Sequence, residues 1–235
     1  MAAWRLGRGW SEREVWRHLE SLATAERNFP DDPDQLDASP NWLKYSSEAV
    51  VGREQSGPPL AEGPFIRGRI AITNYQFSDA RIVIPHFDES TPLHHRRILL
   101  EMRAFRFLRF LGGVIIGAIR SKSVGEKTVF GYRFDTLEGH IERGSEWVLL
   151  SKDHNSGLIR FRISASWLPG DFPTWWSGLG FRLVGRHYQQ KWHRRAHVLM
   201  ARAVGSNGSS HSGSASKDED YSRPEVVFER VKNHA

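Results

Sequence analysis

Residues 158–167 read Leu-Ile-Arg-Phe-Arg-Ile-Ser-Ala-Ser-Trp, and that alternation constrains the fold more than any other stretch of the chain. Ile159, Phe161, Ile163, Ala165 and Trp167 fall on one side of an extended strand, and Arg160, Arg162, Ser164 and Ser166 on the other. Successive strand side chains point to opposite faces, so the segment predicts an antiparallel strand with one buried face and one wetted face. The period then changes. Beyond Pro169, Gly170 and Pro173, the residues Phe181, Val184, Tyr188, Trp192, Ala196 and Leu199 step by three or four, the stripe of a long amphipathic helix. One apolar strand face and one apolar helix stripe bury each other most economically by packing together.

More alternating segments come earlier. Ile98, Leu100, Met102 and Ala104 alternate with Glu101 and Arg103; Val114–Arg120 follows Gly112-Gly113; Val129–Phe134 and Glu146–Leu150 follow in turn. A short strand is expected at Arg81–Ile84, ended by Pro85, and the phase slip at Phe105, Phe107 and Leu108 predicts a bulge. Ile66, Gly68, Ile70 and Ile72 alternate with Arg67, Arg69 and Ala71, which predicts another strand. Near the N-terminus, Ser11 and Glu14 have the spacing of a capping box, with Val15, Leu19 and Leu22 on one helical face behind it.

The expected organisation is therefore an N-terminal helix over 1–27, an aromatic-bearing loop over 28–64 that wraps the core, and an α+β domain over 65–204. A tail over 205–235 follows, rich in Gly and Ser, flexible and dispensable for folding, in which Pro224–Glu229 can form one short ordered element. The fold class is α+β: a curved antiparallel sheet gripping a long C-terminal helix, with a cavity between them if the sheet curls.

Composition narrows the chemistry. The 235 residues contain no cysteine, which excludes disulfides, thiolate nucleophiles, iron–sulfur clusters and the usual structural zinc sites. No Gly-x-Ser-x-Gly string and no phosphate loop is present. The longest apolar run, Val114–Ile119, falls far short of the ~20 residues of a spanning helix, and a cytoplasmic protein without a signal peptide is expected. His193 and His197 have ligand spacing on a helix, but Arg194 and Arg195 lie between them, so no metal site is expected. No cofactor is indicated. Residues 160–202 carry eight Lys or Arg against Asp171 alone, more positive charge than the net +6 of the whole chain.

Several strings carry a resemblance. They are Asn74–Val83, Pro92-Leu93, Leu99–Glu101, Thr136–Gly144, Phe161–Ala165 and Leu179–Arg186, in that order. From about Asn28 to Ala203 the chain resembles the YndJ-like family of domains of unknown function, found alone and fused to bacterial membrane proteins. That family is similar to the helix-grip superfamily of START-like and pollen-allergen-like proteins. The resemblance implies a curved sheet gripping the C-terminal helix, and no established activity. Ser78-Asp79-Ala80 and His94–Arg97 depart from the family pattern, both in expected connections.

Thr136–Gly144 is the most specific string. In it Glu138, His140 and Glu142 alternate, so an extended chain would project all three to one side. A His between two carboxylates has the composition of an acid–base site, its pKa raised by them; a hairpin whose polar groups bond their own backbone has the same composition. The expected ligand-binding set is His140, Glu142, Glu138, Tyr132, Phe161, Tyr188 and Trp192. The expected function is binding of a small apolar or lipid-like ligand between sheet and helix. The alternatives are an enzyme using His140 and Glu142 at the cavity mouth, or an adaptor on an anionic membrane surface through Arg182, Arg186, Lys191, Arg194 and Arg195. Trp175, Trp176 and Phe172 favour a membrane over RNA as that partner, and nucleic acid is not expected.

Overall fold

The structure, a computed structural model, describes residues 3–104, 108–170, 175–205 and 224–229, with 175–186 described by backbone alone. Among the described residues nine strands form one antiparallel sheet. They are β1 (Ala3–Leu6), β2 (Leu43–Arg53), β3 (Val83–His86), β4 (Arg97–Ala104), β5 (Leu108–Val124), β6 (Lys127–Thr136), β7 (Glu142–Asp153), β8 (Leu158–Pro169) and β9 (Val227–Glu229). The spatial order is β3-β4-β5-β6-β7-β8-β2-β9, with β1 pairing the start of β5. The described residues also form three α-helices, α1 (Glu12–Ser21), α2 (Pro64–Thr73) and the long C-terminal α3 (Trp175–Gly205), with a short 3-10 turn at Leu22–Thr24.

The curved sheet grips α3, as the strand and helix patterns require. The inner face of the sheet presents Phe130, Tyr132 and Phe134 from β6, Val148 and Leu150 from β7, and Ile159, Phe161 and Ile163 from β8. Against them α3 buries Trp192, Ala196, Met200 and Val204. The buried stripe of α3 also contains His193 and His197, both fully enclosed, while Leu199 is only half-buried. The expected stripe thus holds at Trp192 and Ala196, is rotated beyond them, and at Phe181 and Val184 lies where only backbone is described.

Strand β3 runs Val83–His86 through Pro85, where the expected strand at Arg81–Ile84 would have ended, and Ala3–Leu6 is a strand ahead of α1. Two longer segments also differ from the sequence expectation. The alternation at 65–72 is not a strand: Pro64–Thr73 is helix α2, with Pro at its first turn after Gly63. Its buried residues Phe65, Gly68, Ala71 and Ile72 follow a helical period, and Ile70 is exposed. Gly68 is what lets α2 sit down, because a Cβ there would lie 2.7 Å from Leu150 Cδ2 and 3.0 Å from Val204 Cγ2. The second difference is β2, an eleven-residue strand inside the region expected to be loop. It pairs with β8 along its length and turns Tyr45, Ser47, Ala49 and Val51 inward.

Phe29, Leu36 and Trp42 form their own buried cluster with Leu168. On the outer side of the sheet, the buried Arg133 pairs with Asp135 at 2.8 Å and with Asp34 from the wrapping segment. Helix α1 begins with the expected capping box, Ser11 N–H donating to Glu14 Oε2 at 2.7 Å and Glu14 N–H to Ser11 Oγ at 3.3 Å. It covers a second buried cluster of Val15, Leu22, Leu99, Leu111 and Leu137. The expected bulge at 105–107 and residues 206–223 of the expected tail lie outside the described residues. Val227–Glu229 is ordered as β9 along the free edge of β2, where Phe228 stacks on Tyr45 at 5.7 Å. Among the described residues no helix is long and apolar enough to cross a membrane.

Candidate functional site

The inner face of β7 changes character along its length. Val148 and Leu150 are apolar and fully buried, but Glu146 and Glu142, one and three steps beyond Val148 on the same face, are carboxylic acids. Glu146 stands across from Phe134 of β6 and Ala165 of β8. Its side chain keeps a fifth of its surface open, yet burial raises its pKa to about 8, and Glu142 adds to the rise. Burial alone raises Glu142 to about 7. Both acids are thus strongly desolvated, although neither side chain is sealed from solvent.

Helix α3 brings two imidazoles to the same region. Ser47 Oγ of β2 lies 2.7 Å from His193 Nδ1 and 2.9 Å from His197 Nε2, so one hydroxyl ties the helix to the strand through both rings. Burial lowers the pKa of His193 to about 3, with a smaller contribution from His197, and lowers His197 to about 4. Both are neutral at pH 7. The second nitrogen of His193, Nε2, is buried without a hydrogen-bond partner and lies 3.9 Å from Glu146 Oε2. Among the described residues no group of three or more His, Cys, Asp or Glu is placed to hold a metal.

The residues singled out from sequence divide. Glu142 faces inward and His140 is buried, but Glu138 is exposed, so the three do not share one side as alternation predicts. The cause is that 137–141 is a turn and not extended chain: His140 N–H donates to Leu137 O at 3.0 Å. The His140 ring lies over Gly112, and its Nδ1 accepts the Glu142 backbone N–H at 3.1 Å. It meets the backbone of Glu142, not its carboxylate. Burial therefore lowers the His140 pKa to about 4, the reverse of the rise expected from a carboxylate neighbour. Tyr132 and Phe161 are buried in the inner wall, the Tyr132 hydroxyl donating to Ile72 O at 3.0 Å. Trp192 is buried with its Nε1–H donating to Ser78 Oγ at 3.2 Å, and Tyr188 is half-buried on α3.

Among the described residues, Arg160 and Arg162 lie apart from Lys191, Arg194 and Arg195, which are exposed on α3. Arg160 and Arg162 project from the outer face of the sheet beside Glu48, at 3.6 and 3.8 Å. Arg194 covers the Phe228 ring at 5.3 Å and Arg195 approaches Asp79 at 3.6 Å, while Lys191 is exposed. The side chains of Arg182, Arg186, Trp175 and Trp176, and all of Phe172, lie outside the described residues.

Residues 35–198 match the family described as Domain of unknown function (DUF1990). The chain belongs to the DUF1990 family. No curated protein matches it. Among solved structures it is similar to Ara h 8.0201, at 11% identity over 71% of this chain and 100% of that one, with a TM-score of 0.43. It is also similar to the protein of unknown function SA2116 from Staphylococcus aureus, at 9% identity over 72% of this chain and 100% of that one, with a TM-score of 0.36. At that distance neither neighbour speaks to what this DUF1990 protein binds.

The string Thr136–Gly144 that carries the family resemblance works mainly through backbone geometry in this DUF1990 chain. Thr136 Oγ1 accepts the Gly144 N–H at 2.9 Å and donates to Asn28 Oδ1 at 2.6 Å, and Asn28 Nδ2 donates to Glu142 O at 2.9 Å. Gly144 has φ +142°, and a Cβ there would stand 2.1 Å from Ser166 O, so only glycine fits. The string thereby sets the start of β7 and turns the Glu142 carboxyl inward.

These shifts make stability depend on pH in two opposed ways. Glu142 and Glu146 keep their protons in the fold where the unfolded chain has lost them, so their contribution is full below about pH 4.5 and is lost as pH rises through 7 to 8. His140, His193 and His197 stay neutral in the fold where the unfolded chain is protonated, so theirs is full above about pH 6.5 and is lost as pH falls towards 3 to 4. The five groups together give an expected maximum near pH 6 to 6.5 and a loss of about 1–2 kcal/mol by pH 8.5. Thermal melts across pH 5–9 read this directly. Glu146→Gln flattens the alkaline side, and a stability that climbs from pH 6.5 to 8.5 contradicts the assignment.

Proposed function

We propose that this protein binds a small, largely apolar molecule between the inner face of the sheet and α3. The observation that carries the reading is the inner face of β7, apolar at Val148 and Leu150 and acidic at Glu146 and Glu142. Binding sites for small molecules typically combine apolar walls with a few convergent polar groups of perturbed pKa. Tyr132, Phe161 and Trp192 supply wall, and Tyr188 and His140 flank it. Glu142 and Glu146 supply the polar end.

Protein purified from its source and weighed by native mass spectrometry is expected to carry a non-covalent small molecule that is lost on denaturation. A bare polypeptide mass, together with no uptake of added decanol, overturns the reading.

A further inference from the structure

Charge complementarity at the polar end selects among apolar ligands. Glu146 and Glu142 share one face of β7, and among the described residues neither has a cationic partner. Two basic side chains of the neighbouring sheet are bound elsewhere: Lys152 pairs with Glu54 toward the far end of β7, and Arg133 with Asp135 on the outer side of the sheet. Beside Glu146 stands a polar atom with no partner, His193 Nε2, on a fully enclosed side chain. Its 3.9 Å separation from Glu146 Oε2 is too long for a hydrogen bond. It is the span that one donor atom bridges when it bonds to both.

In one of its two tautomers the His193 ring leaves Nε2 free to accept. If His193 Nδ1–H donates to Ser47 Oγ and the Ser47 hydroxyl donates on to His197 Nε2, both short contacts are satisfied and His193 Nε2 carries a lone pair. Glu146 Oε2 and the His193 lone pair are two acceptors 3.9 Å apart, which match a group with several N–H donors, and Glu142 adds negative charge further along the same face. The aromatic wall adds to this, with Phe134 directly across the strand from Glu146 and Tyr75 at 6.0 Å ring separation from Phe134. Aromatic faces attract cations.

We propose that this end of the site takes the protonated amine of an otherwise apolar molecule, the ammonium bridging Glu146 Oε2 and His193 Nε2. The proposal rests on the ligand-site reading above. An ammonium supplies the counter-charge that lets the buried carboxyls ionise, so its binding releases protons. A neutral alcohol gains only hydrogen bonds, and a carboxylate is repelled. The titratable groups facing Glu146 are Glu142 on its own strand, His193 on α3, Tyr75 beyond α2 and Tyr132 on β6.

Isothermal titration at pH 7.5 with decylamine, decanol and decanoate tests this. Decylamine is expected to bind at least tenfold more tightly than decanol, with decanoate weakest. Repeating the amine titration in two buffers of different ionisation enthalpy is expected to show release of about one proton, and none for decanol. In Glu146→Gln, checked for folding by circular dichroism, the amine-to-alcohol ratio falls towards one; Glu142→Gln reports the same if the first variant does not fold. Decanol or decanoate binding as tightly as the amine overturns the amine assignment and leaves the ligand site standing. Failure of all three probes to bind overturns both.

Discussion

Replacing Lys152 by Ala is expected to lower the unfolding free energy by about 3–5 kcal/mol, the cost of breaking a buried ion pair from one side. Lys152 Nζ lies 2.6 Å from Glu54 Oε2, and both side chains are sealed from solvent, at 0% and 1% exposure. The same ammonium donates to Pro58 O at 3.1 Å, and Glu54 Oε1 accepts the Leu60 N–H at 3.3 Å. Glu54 is further fixed by its own N–H, which donates to Gly157 O at 2.9 Å. These bonds hold the segment between β2 and α2 in place. Removing the lysine leaves a carboxylate in a dry site with nothing to balance it. Replacing both partners, Lys152→Met with Glu54→Leu, is expected to recover much of the loss, because the desolvation of two charges is removed as well. Urea unfolding of the three proteins checks both statements, and a single-mutant loss below about 1 kcal/mol refutes the first.

Phe161→Ala is expected to cost a similar ~3–5 kcal/mol by leaving a cavity at the centre of the gripped helix. Phe161 is wholly buried, midway along β8. Its ring meets Phe77 at 5.8 Å and the His197 imidazole edge-on at 5.2 Å, so it touches both the segment after α2 and α3. Leucine at this position retains most of the apolar volume and is expected to lose less. An unchanged melting temperature for the alanine variant contradicts the inward placement of this face.

The strand at 158–169 was legible because its two faces differ so sharply, Ile159, Phe161 and Ile163 against Arg160, Arg162 and Ser164. Helix α2 was not, because Phe65–Ile72 satisfies both periods: the isoleucines alternate by two, while Phe65, Gly68, Ala71 and Ile72 recur by three or four. The decisive cue was Gly63-Pro64, a helix start rather than a strand boundary. Strand β2 does alternate, but two of its inward residues are Ser47 and Ala49, too small and polar to stand out between prolines.

At the site, Glu142 is legible through the family string, whereas Glu146 and Ser47 carry no signal there and His193 and His197 show only the spacing of metal ligands. Buried polar residues give no hydrophobic signal. The one cue in the sequence was that His193 and His197 fall beside Trp192 and Ala196 on the stripe, which places them inside whatever their polarity.

NMR shift mapping with decanol tests most directly whether a ligand binds between the sheet and α3 with its polar end at Glu146. Shifts are expected at the inward residues Tyr132, Val148, Phe161 and Trp192, fading toward the outer face of the same strands. Shifts confined to outward residues such as Arg120, Trp147 and Leu149, or no shifts at saturating decanol, would contradict it.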